Sequence, residues 1–158
     1  MVLVMGGCSV TPEPEETTPA FATEEEAFAA AEQTYRAYVD AVNERRADQD
    51  PSPAPEDFLT GVALQDEVDS ARQLSERGWS IHGENVLAET APVRAETPYD
   101  SIEMWACIDV SKTTVRDETD ADITPPDRSE RIPITIELTL VGTTYLISRT
   151  AGADDTEC

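Results

Sequence analysis

The side chains able to do chemistry in this chain are few in kind. There are one histidine, three cysteines and 33 carboxylates against 11 lysines and arginines. Proton transfer needs a poised base with a partner, and His82 in "WSIHGEN" is the one imidazole available. Asp109 and Glu103 share a strand face with Trp105 in "SIEMWACIDV". A carboxylate beside an apolar pocket is how a base is raised toward neutral pH, which makes Asp109 the second candidate. Tyr35 and Tyr38, from a helical segment, could supply hydrogen bonds to the same chemistry. Against this stands a non-catalytic reading, with His82 as a surface residue at a strand bend beside Gly83 and Glu84. The non-catalytic reading is preferred.

Other chemistries lack their motifs. The acidic run "RDETDADITPPDR" has no glycine and distal glutamate of a calcium loop and reads as a solvated hairpin tip. HExxH, paired CxxC, a glycine-rich phosphate loop and GxSxG are all missing, so no metal and no cofactor is expected. A formal charge of −22 repels phosphate backbones, which excludes nucleic acid as a partner.

The thiols carry more information. "MVLVMGGC" is uncharged and stops at Cys8, far short of the roughly 20 residues a membrane span needs. A Pro-, Thr- and Glu-rich stretch follows, too polar to fold, and reads as a tether. Met5 to Cys8, "MGGC", resembles the lipobox of bacterial lipoproteins, in which the peptide is cut before a cysteine that then carries a diacylglycerol. The resemblance implies lipidation at Cys8 and a lipid anchor on the outer face of the bacterial cytoplasmic membrane. Residues 1–7 are then the remnant of a longer signal, 8–22 a disordered tether and 23–158 the folded domain. The competing reading is a cytoplasmic protein with a disordered start. If lipid consumes Cys8, Cys107 and Cys158 remain as a pair, whose closed loop is worth ~4 kcal/mol in the chain-entropy model. Two unpaired thiols, Cys107 serving as a small core residue, are the alternative.

These residues need elements to hold them. "TEEEAFAAAEQTYRAYVDAVNERR" is a helix with a Thr23–Glu26 capping box and an apolar face of Phe28, Ala31, Tyr35, Val39 and Val42. Three prolines in "DPSPAPEDF" end it, and a short helical turn is expected at Pro55 to Leu59. A second full helix carries Leu64, Val68, Ala71 and Leu74 on one side and stops at Gly78. From Trp79 the period becomes alternating. "SIEMWACIDV" places Ile102, Met104, Ala106, Ile108 and Val110 on one face, and large groups on both faces predict a central strand covered on each side. "IPITIELTLVGTTYLIS" is a hairpin turning near Gly142.

The prediction is an α+β fold with a long N-terminal helix and two further helices on a curved antiparallel sheet. That order over Thr23 to Arg149, with tryptophan opening the first strand, resembles the NTF2-like cone. It is also similar to secreted actinobacterial lipoproteins that share a cysteine in a central strand and another at the C-terminus, here Cys107 and Cys158. The NTF2-like resemblance implies a pocket between helices and sheet. The expected function is binding of a small-molecule ligand or an envelope protein partner. The alternative is a pocket enzyme of the isomerase or dehydratase type using Asp109, His82 or Tyr35.

Overall fold

The structure, a computed structural model, describes residues 20–153 and Cys158. Cys8, the residues expected to be a signal remnant and most of those expected to be a tether lie outside the described residues. Among the described residues, two α-helices, α1 (Glu24–Arg46) and α2 (Gly61–Arg77), flank one 3-10 turn at Pro55–Phe58. Six strands follow: β1 (Ser80–His82), β2 (Val86–Ala95), β3 (Ser101–Asp109), β4 (Thr114–Arg116), β5 (Arg131–Val141) and β6 (Thr144–Gly152). The fold is α+β, with helices on antiparallel sheet.

α1 begins where Thr23 Oγ1 accepts the Glu26 amide at 3.2 Å, and three glutamates sit at the positive end of its dipole. The reciprocal half of the expected box is displaced. Glu26 accepts the Ala22 amide at 3.1 Å, one residue further out than Thr23. Phe21, just before the cap, stacks on Tyr145 with ring centroids 5.2 Å apart. The folded body therefore starts by Phe21, two residues earlier than the predicted boundary, because Phe21 packs on Tyr145 of β6.

The buried ridge of α1 is Ala27, Ala31, Tyr35 and Val39, at strict spacings of four. Two alanines on that ridge let the helix lie close to the sheet, and Phe28 and Val42 stand half-buried at its flanks. The main sheet has the order β2-β3-β5-β6, antiparallel throughout. α1 touches both edge strands, β2 and β6, as well as β3, so the sheet bends around the helix. Register irregularities between Leu87 and Glu89, Pro92 and Arg94, and Glu137 and Leu138 supply local bending. Ile102, Met104 and Ala106 of β3 meet Ile136 and Leu138 of β5 and Tyr145 and Ile147 of β6 beneath α1. Burial of that apolar surface is the main source of stability.

Three expectations change. First, β3 is central, but the helices cover one of its faces only; among the described residues the other face is capped at Cys107 by Cys158, their Cα atoms 5.6 Å apart in a disulfide. Trp105 on that face stays half-buried. Second, the strand expected to open at Trp79 splits. β1 leaves the main sheet and pairs with β4 in a separate two-stranded ribbon. Gly83, at φ +88°, makes the break, and a β-carbon there would collide with the Lys112 carbonyl. Third, α2 buries Ala63 alone, while Val68 and Ala71 of its predicted stripe are exposed and Leu64 and Leu74 half-covered.

Candidate functional site

The incomplete cover of α2 leaves a cleft. Between the C-terminal half of α1, the 3-10 turn, α2 and β1 lies a cavity of about 420 Å³, walled by Val39, Val42, Leu74, Ile81 and Ile108. On the other side of Leu74 and Ile81 lies a more open apolar groove of about 630 Å³, which shares those two residues and Ser70 with the cavity and adds Trp79, Val115 and Ile123. Arg77 lies over the Trp79 ring at 4.9 Å. Trp79 itself is exposed.

Polar groups line part of the cavity. Tyr35 is 4% exposed, and burial pushes its phenol well above its ordinary value. Tyr38 stands with its ring 5.9 Å from that of Tyr35, and burial, aided by the charge of Glu67, pushes it up to about 12. Both therefore remain hydroxyl donors at neutral pH. Arg45 forms a two-pronged pair with Glu56, one prong measuring 2.7 Å, and its Nη1 lies 3.9 Å from Glu67 Oε1. The Arg45 hydrogen bond holds the Glu56 carboxyl below its usual range. Glu67 moves the other way, raised by burial and then by the neighbouring charge of Glu56.

Arg46, whose guanidinium is disfavoured by burial, donates to Asn85 Oδ1 at 2.9 Å. Asn85 is pinned to α1 by a reciprocal pair with Asn43, at 2.8 and 2.9 Å. That clamp sets the loop after β1 against α1 and fixes the end of the cleft.

Of the predicted site residues, Tyr35 and Tyr38 lie here. Asp109 stands on the face of β3 away from the helices, because strand alternation turns it opposite to its neighbour Ile108, which lines the cavity. Its carboxyl is held low by hydrogen bonds from the Ser111 side chain and from the Ser111 amide at 2.9 Å, the reverse of a raised base. His82 is exposed on β1 and 2.9 Å from Ser80 Oγ. Glu103 pairs with Arg94 at 3.1 Å, outside the cleft. In the acidic run, Asp117 accepts from the Thr119 and Ala121 amides and Asp122 from that of Thr124, so these carboxylates are used by their own turn. The run is a turn tip.

Glu67 was not among the sequence candidates, although a signal existed. Positions 64, 67, 71 and 74 form one face of α2, and Glu67 is the lone carboxylate among Leu64, Ala71 and Leu74. Arg46 and Asn85 carried no comparable signal.

No protein-family model matches the chain, and no curated protein matches it. Among solved structures, the intermembrane-space region of the chloroplast protein ARC6 is similar, with a TM-score of 0.50 at 11% sequence identity. The match covers 78% of this chain and 94% of that one. At that identity the likeness is one of fold.

Proposed function

We propose that this chain is a lipid-anchored extracytoplasmic binding domain of a bacterial envelope, built on an NTF2-like cone, with the cleft between α1, α2 and β1 as its binding site. The observation carrying the binding assignment is the cavity itself: apolar walls with a few convergent polar groups, the form small-molecule sites take. The anchoring assignment rests on "MGGC" and on the cysteine count. With Cys107 and Cys158 joined, Cys8 is left over, and a disulfide fits an oxidising compartment. A diacylglycerol at Cys8 would make anchoring durable, since two chains hold where one does not.

Two measurements test this. Expressed from its native gene, the protein should take up a palmitate analogue that a Cys8→Ser variant does not. Native mass spectrometry of protein extracted from its own envelope should show a small bound mass that Ala71→Trp, which fills the cleft, removes. Absence of Cys8-dependent label sinks the anchor, and a bound mass indifferent to Ala71→Trp sinks the cleft. A crosslinked envelope protein that depends on the cleft would replace the small ligand with a protein partner.

A second reading has one observation in its favour. Glu67, its carboxyl raised by burial and close to Tyr38, is placed as an acid or base for isomerase or dehydratase chemistry, a role that Asp109 and His82 do not occupy. It predicts turnover of the recovered molecule that Glu67→Gln abolishes without loss of binding.

A further inference from the structure

We propose that the cleft takes an apolar molecule ending in a single carboxylate, its head held by Arg46 with the hydroxyl of Tyr38, its tail passing Leu74 and Ile81 into the adjoining groove. This rests on the cleft being a small-molecule site and adds the chemical class of the ligand.

Charge complementarity is the first argument. Within the cluster, both carboxylates are engaged by Arg45: Glu56 closely and Glu67 at 3.9 Å. Arg46, the next residue, has the neutral amide oxygen of Asn85, and no described carboxylate comes within 4.0 Å of it. In a chain where acids outnumber bases 33 to 11, a half-buried guanidinium without an acid is a vacancy for an anion from outside.

The hydroxyls point the same way. The buried Tyr145 hydroxyl has its partner, the Tyr99 carbonyl at 2.6 Å. Tyr35 and Tyr38 line the cavity, and no described residue forms a hydrogen bond with either hydroxyl. A ligand oxygen in the cavity would give such a hydroxyl its acceptor. The head of the site thus offers the Arg46 guanidinium and the Tyr38 hydroxyl. A cationic head would instead face Arg45 and Arg46 with only Glu67 to receive it.

The tail follows from the walls. The cavity and the groove meet along Leu74 and Ile81, and the groove beyond is lined by Trp79, Val115 and Ile123. A head in the cavity leaves a chain directed along this apolar track, where burial of each methylene is worth about 0.8 kcal/mol.

The test uses the chain with Cys8→Ser and Trp105→Phe, so that Trp79 reports alone. It is titrated with dodecanoate, dodecanol and dodecylammonium below their micellar concentrations, read by fluorescence and calorimetry. Dodecanoate should bind about tenfold more tightly than either of the others. Arg46→Gln should bring dodecanoate down to the level of dodecanol and leave dodecanol unchanged. Arg46→Lys, which keeps the charge, should retain part of the preference and so separates charge from a folding defect; Tyr38→Phe should weaken dodecanoate severalfold. Equal affinity for the three, tightest binding of dodecylammonium, or a dodecanoate affinity unmoved by Arg46→Gln overturns the carboxylate assignment while the cleft remains a binding site. Failure of all three probes overturns it too, and the bound mass removed by Ala71→Trp then decides whether the cleft reading survives.

Discussion

Where α1 crosses the main sheet, the interior is closed: Ala27, Ala31, Ile102, Ala106, Ile136, Leu138 and Ile147 have no exposed surface. Where α2 faces the β1–β4 ribbon, the same kinds of side chain stand open, with Val68 at 45% and Trp79 at 38% exposure. The two halves differ in whether a second layer meets their apolar side chains. The closed half holds the fold together. The open half leaves room, and it is there that the tyrosines, the two arginines and Glu67 collect. The main source of stability and the proposed binding site then lie on different sides of one domain.

The largest effect should come from the closed half's staple. Reducing the Cys107–Cys158 bond frees a 51-residue separation and should cost ~4 kcal/mol, read as a fall in the guanidinium midpoint. Loss of cleft binding in the reduced, still folded protein would break the division of labour. Leu138→Ala, in the closed core, should cost about 2–5 kcal/mol by the same measurement. Removing the cap of α1 with Thr23→Ala should cost ~1 kcal/mol.

The open half should respond weakly and with pH. Because the Glu67 carboxyl is raised in the fold, the folded state holds its proton where the unfolded chain has lost it. Its contribution is complete below the usual glutamate range and is lost as pH rises through the raised value. Glu67→Gln should therefore match the wild type in acid and be modestly more stable at pH 7, by thermal melting at both pH values. Val68→Ala should change stability by less than ~0.5 kcal/mol. A cost near that of Leu138→Ala would mean that the two halves are packed alike.

The closed half was legible because its signals are local. The alternation of Ile102, Met104, Ala106 and Ile108 names an inward face, and Thr23 with three glutamates names a helix start. The ridge on α1 shifted from Phe28 to Ala27, since the smaller residue permits the closer approach to the sheet. On the open half, the stripe of α2 was visible but its lack of a cover was not. Periodicity states which face would gain from burial and carries no information on whether another element arrives to bury it. Asp109 misled for a related reason: its neighbours looked apolar along the strand, and alternation carried it to the other face.

By itself the sequence determined the order and type of the elements, the pairing face of β3 and β5, and the supply of two thiols that can join when the third is otherwise used. These follow from dihedral preference, capping and the periods of helix and strand, all of which act over a few residues. Only the tertiary structure decided that β1 turns away at Gly83, that α2 therefore stays half-covered, and that Arg46, Glu67 and Asn85 meet beside Tyr35 and Tyr38. Those groups come from three separate segments, and what brings them together is the packing of α1 on the sheet, which no short stretch of the chain encodes.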